Sequence, residues 1–576
     1  ILITLRRRRD GGMDGNLQFS TVQSNRIAGY TPSGRIGIRT GRWTLTASGS
    51  GSFTPVAESR FTETREQAGQ PLPFAGRSDS KSRTNYGRGH FSAVFDPTPK
   101  HTAGFDIEYT ERSTHMPTLS RTTLGQTQSD SRYRQHMDGN TLTATANYIW
   151  KIDTLGSQFK LIADYTRYTS DGDNSYHTTT CAPGTLRDSL YESATGSVYD
   201  ILTADAGLTR KPPHGLTLRA GLRYTRNDMA DKSRYAAQTQ GTWLALPEYS
   251  YDQHYTEQIG AAYASLEYSA GRWELSAGLR GEYTSVASQA FGRSYFGLFP
   301  NVSVSRALNA LRTWLLVAQW SRNIERPAFP ALNPARIRIS DYSWQSGNPS
   351  LRPTYIHRFS LTAVWKYRYT LTVGGNLHHD LIREIAHRDA TAPDAVYIRP
   401  ENHYTENHWF VAASVPAKIT RWWNLSVNAV GVMQRIRLNS TDSPATHYLM
   451  FADATCSFTL PAGFFAEAVY RAQSRLYSGN SEVGPRHTLS ATVKKQLFGK
   501  RLTLFCTLSN ITGCDWEFAS LTDGMRRTID TGQAWSGRLW KVGAAWNFRT
   551  GKKFRARTVE SAAETQRKRL VKSTEQ

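Results

Sequence analysis

The sequence predicts an all-β protein, a transmembrane antiparallel β-barrel of about 22 strands. Three observations lead to this class. Apolar and polar residues alternate one by one in many stretches, as they must when one strand face meets lipid and the other a lumen. Ten short connections alternate with eleven long, polar segments. The mean hydropathy is −0.52, and no apolar run approaches the roughly 18 residues that a spanning helix needs.

The alternation is clearest in the stretch 273–282. Trp273, Leu275 and Leu279 share one face, and Glu274 and Glu282 share the other, because successive side chains of a strand point to opposite sides. The charges therefore point away from hydrocarbon, where burying them would be costly. Other outward sets are Leu216/Leu218/Ala220/Leu222/Tyr224, Leu142/Ala144/Ala146/Tyr148, Phe159/Leu161/Ala163/Tyr165, Trp423/Leu425/Val427/Ala429 and Trp540/Val542/Ala544/Trp546/Phe548.

The connections predict the topology. Pro and Gly mark most of the short ones, as tight turns require. The short connections are 41–42, 96–100, 153–157, 211–215, 270–272, 307–310, 366–368, 417–420, 461–463 and 498–500. The long segments include 54–89, 112–138, 170–198, 227–254, 323–353, 384–402 and 511–536. If short turns are periplasmic and long loops extracellular, both termini lie in the periplasm and the strand count is even.

Tryptophan follows several short turns closely. The five positions are Trp43, Trp273, Trp314, Trp422 and Trp423. Tryptophan at a constant depth is typical of the aromatic girdle at a membrane interface.

Charge and motifs limit the function classes. Lys and Arg number 70 against 47 Asp and Glu, a net charge of +23, but the cations are scattered and form no stripe that would indicate nucleic-acid binding. For a barrel, lipopolysaccharide phosphates, an acidic partner or an anionic solute explain the excess better. No nucleophile elbow, phosphate loop, zinc-protease motif or paired carboxylates are found in the sequence, so we expect no catalytic residues.

The middle of the chain carries a family resemblance. The run 295–305, with Phe299-Pro300-Asn301, looks like the "FPS" strand of TonB-dependent outer-membrane receptors. The segments that follow it, and two before it, resemble the related Bacteroidetes outer-membrane barrel family. These segments are 320–327, 332–334, 347–353, 258–264 and 277–284. The resemblance implies a bacterial outer-membrane receptor.

The resemblance also implies a division of the chain. Residues 1–10 are similar to the end of the plug domain that precedes the barrel in this family, so we expect the sequence to lack the plug and the peptide that contacts the TonB energising system. The barrel would span 11–548. The tail 549–576, rich in Lys, Arg and Glu, is expected to be a solvated periplasmic segment.

The last strand resembles the signal read by the outer-membrane assembly machinery. In 541–548 a glycine precedes two aromatic residues spaced two apart, namely Gly543, Trp546 and Phe548. An outward aromatic pair suits edge pairing during insertion. The alternative is an ordinary final strand.

The segment 323–353 contains the candidate ligand contacts. Three prolines, Pro327, Pro334 and Pro349, force extended or turn backbone; they would either build a ligand surface over the pore mouth or only brace the loop, and we favour bracing. The candidate contacts are Arg322, Arg326, Arg336, Tyr342 and Trp344.

No metal or cofactor site is predicted. His378 and His379 are adjacent and therefore point to opposite faces of a strand, so they cannot share one ion without a bulge. Four cysteines form no CxxC pair and are best read as isolated thiols, although Cys506 and Cys514 could meet in an oxidising compartment.

Two main functions fit these observations. In the first, a TonB-dependent receptor takes up a scarce solute, such as a ferric siderophore or another anionic ligand, when its plug moves. In the second, a barrel that transports nothing holds a surface lipoprotein or a host molecule. A passive pore would need a filled lumen, since an empty barrel of this size would breach the membrane.

Overall fold

The computed structural model describes residues 11–67, 69–289, 291–389, 392, 394–513, 515–551, 554 and 558–570. In these residues 29 strands join in one sheet, and 22 of them form a closed antiparallel barrel. The predicted fold class is therefore confirmed. The expected plug remnant 1–10 lies outside the described residues, as does Cys514.

The barrel strands are β1 Gly12–Gln23, β2 Ile27–Thr40, β3 Trp43–Gln67, β4 Gln70–Phe95, β5 His101–Leu124, β6 Thr127–Lys151, β7 Gln158–Ala182, β8 Thr185–Arg210, β9 Leu216–Thr239, β11 Tyr251–Ala270, β12 Trp273–Ser288, β13 Gly292–Ala307, β14 Trp314–Glu325, β17 Thr354–Trp365, β18 Tyr369–Arg388, β19 Val396–Lys418, β20 Trp423–Arg437, β21 Ala445–Thr459, β22 Phe464–Gln473, β25 Arg486–Leu497, β26 Leu502–Ser509 and β29 Leu539–Gly551. Short strands between them are β10 Thr242–Ala245, β15 Ile337–Ser340, β16 Ser343–Gln345, β23 Leu476–Ser478, β24 Ser481–Val483, β27 Trp516–Thr522 and β28 Met525–Gly532. The helical turns are α1 Phe329–Leu332, α2 Glu564–Arg567 and three 3₁₀ turns, Pro247–Tyr249, Pro461–Gly463 and Lys568–Leu570.

The first strand closes the barrel against the last. Gly12 lies opposite Gly551, and Gln23 lies opposite Trp540, in an antiparallel register without a shift. The start of β1 and the end of β29 therefore lie at the same end of the barrel. We call it the turn end, because the ten predicted short connections lie there between consecutive strands. Its position in the periplasm stays a prediction.

The tight turns follow from glycine. Gly41 and Gly271, each in a two-residue connection, have φ of +55° and +58°, a region that residues with a Cβ adopt at a cost. The prediction of turns at both places is confirmed.

We call the opposite end of the barrel the loop end. Several of the long polar segments there form strands rather than irregular loops. Strands β3 to β8 continue for 24 to 26 residues and turn back through two residues, as where Leu124 pairs with Thr127. A strand needs only about 9–11 residues to cross a membrane. Beyond that length no face meets lipid, so apolar alternation disappears while Thr and Tyr keep a preference for strands.

The two faces of the barrel wall match the predicted alternation. Leu222 and Leu279 are 65% and 49% exposed on the outer face, whereas Thr225 and Glu282 on the lumenal face are 2% and 5% exposed. Trp43 and Trp273 at the turn end are also exposed, and Trp43 stacks on the ring of Phe95 at 4.4 Å.

Within the residues described, no helix is long and apolar enough to cross a membrane.

Candidate functional site

The segment between β14 and β17, residues 326–353, folds into the barrel; we call it the lumenal loop. Its apolar residues Phe329, Leu332 and Leu351 are 1%, 3% and 0% exposed. They pack against inward side chains of the barrel wall, namely Tyr199, Ile201, Met229, Tyr255 and Val286. This lumenal cluster is an apolar core between the lumenal loop and the barrel wall.

Arg326 anchors the start of the lumenal loop. Its guanidinium donates to the Glu282 carboxylate at 2.7 Å and to the Thr284 hydroxyl at 2.8 Å, and it lies 3.8 Å from Glu257. Its side chain is only 9% exposed. Such burial indicates that Arg326 positions the loop; ligand contact by Arg326 stays a prediction.

Asparagine and glycine brace the loop beside its prolines. The Asn333 amide accepts a hydrogen bond from the Tyr251 hydroxyl at 2.6 Å and donates to Asp231 at 3.0 Å. A Cβ at Gly347 would lie 2.1 Å from the carbonyl oxygen of Asn333, so only glycine fits. These contacts agree with the bracing interpretation of Pro334 and its neighbours.

Asp341 holds the tip of the lumenal loop against the wall. It accepts hydrogen bonds from the hydroxyls of Ser131, Tyr133 and Thr178 at 2.5, 2.9 and 3.0 Å, and from Arg338 at 2.7 Å. The β15–β16 hairpin that carries it also pairs in parallel with β19. The loop is thus joined to both sides of the barrel.

The other four candidate residues lie in three places. Arg336 and Trp344 are together, with the guanidinium 4.7 Å from the ring centroid. Tyr342 meets the ring of Phe74 edge-on at 5.8 Å. Arg322 lies 5.2 Å from the ring of Tyr355 and donates to a backbone carbonyl of β13. Only Arg336 and Trp344 form a joint surface.

The C-terminal segment 558–570 also lies inside the barrel. Ala562 donates its backbone N–H to Asp164 at 2.7 Å, and the Arg569 guanidinium forms a buried ion pair with Glu257. Ala563 is 0% exposed. The expectation of a solvated tail is therefore wrong for 558–570, because the lumenal wall supplies carboxylates that pair with its backbone and its arginine. The location of 549–576 in the periplasm and the boundary at 548 stay predictions.

A second polar cluster surrounds Glu406 on β19. Its carboxylate is 0% exposed and accepts hydrogen bonds from Arg383 at 3.0 Å, Gln434 at 2.8 Å and His408 at 2.8 Å. His378 packs edge-on against His408. His379, by contrast, is 55% exposed, so the prediction of opposite faces is confirmed. Among the described residues, no group of three or more His, Cys, Asp or Glu is arranged to hold a metal ion.

Short strands at the loop end form a small sheet on this side. β24 pairs with β27, β27 with β28, and β28 with β3. Within it Glu482 accepts hydrogen bonds from Arg475 and Arg526. Partial burial raises the pKa of Glu482, but the two guanidinium groups outweigh this and hold its pKa below the ordinary value.

The acidic residues at the centre of these contacts were not singled out from the sequence. Glu257, Asp341 and Glu406 each hold two or more partners. The sequence does mark Glu257 and Glu406, since each is an acidic residue at an inward position of a strand with alternating apolar and polar residues. Asp341 lies in an irregular segment, where no periodicity marks it.

The predicted assembly residues lie on β29. Gly543 faces inward, where an added Cβ would lie 2.4 Å from the ring of Phe505 and 2.6 Å from the carbonyl oxygen of Phe19. Trp546 is exposed on the outer face, and the ring of Phe548 covers Gly15 of β1. Their role in assembly stays a prediction.

The closed antiparallel wall, its apolar outer face and its filled polar lumen define an outer-membrane β-barrel. The sequence from 150 to 543 matches the model of one family, and the chain belongs to the outer membrane protein beta-barrel family. Among curated proteins, none matches the sequence significantly.

Several solved structures have a similar fold. The siderophore receptor PirA from Pseudomonas aeruginosa is 12% identical, with a TM-score of 0.54, and the match covers 95% of this chain and 82% of that one. A ferric enterobactin receptor mutant from Pseudomonas aeruginosa, with enterobactin bound, is 14% identical, with a TM-score of 0.58 and coverage of 93% and 81%. The copper transporter OprC is 12% identical, with a TM-score of 0.59 and coverage of 95% and 82%. At these identities the likeness concerns the fold.

Proposed function

We propose that this barrel is an outer-membrane receptor that takes up a scarce solute, with energy delivered by the TonB system through a plug. The observation that carries the proposal is the filled lumen. A 22-stranded wall encloses a passage wide enough to breach the membrane, yet the lumenal loop and the C-terminal segment occupy it. Passage of a solute therefore requires a rearrangement, and a rearrangement requires energy.

The ligand we propose is a ferric siderophore or another anionic solute. Arg336 and Trp344 support this choice, since they place a cation and an aromatic ring together near the loop end. Arg336 also pairs with Asp389 at 3.5 Å, a carboxylate that an anionic ligand would have to replace. The siderophore and copper proteins of similar fold are in keeping with uptake of a metal or its chelate.

Uptake of radiolabelled iron tests the proposal. Cells would be given a ferric catecholate siderophore, with and without the chromosomal gene and with and without the energising system. We expect uptake only when both are present. Uptake that persists without the energising system would reject TonB dependence, and uptake that is unchanged by gene deletion would reject this siderophore as the ligand.

A matched pair of variants tests the site. Arg336→Ala should lower uptake several-fold at limiting ligand, because it removes the cation from the proposed contact surface. Arg435→Ala removes one equally positive side chain, exposed on β20, and should leave uptake unchanged. Equal uptake by both variants would remove Arg336 from the site.

The alternative function, a scaffold for a surface lipoprotein or host molecule, has its own observation. Strands β3 to β8 reach well past the length that a membrane requires, and they expose Leu119, Met137 and Leu186 at 61%, 57% and 74%. Exposed apolar side chains of this kind suit a protein partner. Co-purification of a lipoprotein, lost on Leu119→Ser and Leu186→Ser while uptake continues, would support both roles.

A further inference from the structure

We propose that the lumenal wall contains a guanidinium-binding site, that its ligand is Arg569 of the chain's own C-terminal segment, and that this contact holds the lumenal loop in its inward position. The inference concerns a contact within the barrel and does not depend on which solute the protein transports.

The site surrounds the guanidinium on several sides. Glu257 supplies a carboxylate, the Pro327 carbonyl accepts from Nε at 2.9 Å, and the ring of Phe329 lies 4.2 Å from the guanidinium carbon. Gln566 accepts from Nη1 at 2.8 Å. A planar cation with donors at its edge and an aromatic ring on its face is held by geometry as well as by charge. Lysine would satisfy only part of this arrangement.

Charge complementarity explains why this segment occupies the site. The stretch 549–576 contains nine Lys and Arg against three Glu, whereas the wall presents Asp164 and Glu257, both among its most buried residues. Lys160 pairs with Glu560 at 2.6 Å and adds a contact of the reverse sign. The segment is thus fixed at three heights along the wall, near Lys160, Asp164 and Glu257.

The same contact reaches the lumenal loop. Pro327 and Phe329 belong to that loop, and Glu257 also lies 3.8 Å from Arg326 at its start. Leu570 packs against the lumenal cluster. Withdrawal of the C-terminal segment would therefore expose the ring of Phe329 and leave the loop with fewer partners. Because the loop occupies the lumen, movement of the segment and opening of the lumen are coupled.

Thiol labelling of the full-length protein in outer-membrane vesicles tests the inference. In a background with the four native cysteines changed to serine, Ala563→Cys places a thiol where the side chain is 0% exposed, and Lys568→Cys places one where it is 61% exposed. A polar maleimide should react at least about tenfold more slowly at position 563. Equal labelling rates at positions 563 and 568 would show that the segment lies outside the lumen and would overturn the proposal. The same result is expected if another domain displaces the segment from the lumen.

Loss of the guanidinium should release the segment. Adding Arg569→Ala to Ala563→Cys should raise the labelling rate at least about tenfold, the change expected for a loss of about 1.4 kcal/mol in docking free energy. Lys568→Ala, which removes one positive charge from the neighbouring, exposed residue, should leave the rate within about twofold. An unchanged rate in Arg569→Ala would overturn the proposal.

Two further measurements separate release from misfolding. The barrel of each variant should keep its heat-dependent shift in electrophoretic mobility, which shows that the barrel is folded. If Arg569→Ala fails this check, Arg569→Lys is used in its place, and we expect a smaller rise in the labelling rate at position 563. Amide exchange at 327–332 should accelerate in the same variants. Faster labelling without faster exchange in the loop would retain the arginine site and reject its coupling to the loop.

Discussion

The two sides of the lumen are built differently. Along β7, β9 and β11 the wall is covered by the C-terminal segment and the lumenal loop, and the central acid Glu257 has two arginine partners with side chains 7% and 9% exposed. Along β18 to β20 the central acid Glu406 is equally buried, but its partner Arg383 is 32% exposed. One acid is sealed from water together with its partners, and the other holds a partner that water can reach.

This difference indicates that burial of an acid does not by itself determine the free energy of unfolding that is lost when the acid is replaced. The cost depends on where its partners can go. A guanidinium left beside water is resolvated, whereas a guanidinium left in a closed core is not. The same substitution on the two sides should therefore have different consequences.

The largest effect is expected for Glu257→Gln. It leaves Arg569 without its carboxylate partner in the closed lumen, while Arg326 keeps Glu282, and removing one member of a buried pair costs about 3–5 kcal/mol. Urea unfolding of the barrel in lipid vesicles would measure the loss. Glu267→Gln is the control on the same strand, since its partner Arg219 is 39% exposed and the expected loss is about 0–1 kcal/mol. Equal losses at 257 and 267 would contradict the closed environment of Glu257.

A smaller effect is expected for Glu406→Gln. The glutamine keeps one acceptor for Gln434 or His408, and Arg383 can turn to water, so the loss should be about 1–3 kcal/mol. The same unfolding measurement applies. A loss larger than that of Glu257→Gln would reverse the comparison between the two sides.

The anchoring of the lumenal loop can be broken separately with Asp341→Asn. The amide can no longer accept from all four donors, and we expect a local loss of about 1–2 kcal/mol. It should be seen as faster amide exchange at 337–345 with little change in global unfolding. Exchange that accelerates equally over the strands would mean that the loop and the wall unfold as one unit.

The smallest effect concerns pH and the small sheet that includes β24. Because the pKa of Glu482 is lowered in the folded chain, its contribution to stability is present above its unfolded pKa, near the ordinary value of 4.5, and is lost as pH falls through the folded pKa. The protection of amides 481–483, measured relative to their intrinsic exchange rates, should therefore fall only below about pH 4.5, and Glu482→Gln should abolish this loss of protection. The carboxyl is partly exposed to water, so the change should be modest.

Much of the barrel was predictable because each part depends on local chemistry. Most of the ten turns follow from Gly and Pro, and the outward positions of Leu222 and Leu279 follow from alternation against lipid. The length of β3 to β8 was not predictable, because beyond the membrane no alternation distinguishes a strand from a polar loop. The prolines of 323–353 predict a braced loop, but its inward direction left no periodic signal.

The candidate site was predictable only in part. Residue type alone marks Arg336 and Trp344 as candidates in an irregular loop, and in the structure their side chains meet. Residue type also marks Arg326, but its side chain is buried against Glu282. The sequence of an irregular loop does not show whether a charged side chain faces water or the barrel wall. Whether any of them contacts a ligand stays a prediction.

By itself, the sequence determined the antiparallel barrel, its strand number and the common end of its first and last strands, since the period of two and the turn residues are properties of neighbours along the chain. Only the tertiary structure decided what fills the lumen. Arg569 and Glu257 are 312 residues apart, and no local pattern links a basic tail to an inward acid. Their contact depends on closure of the wall, which brings a carboxylate, a carbonyl and an aromatic ring around one guanidinium.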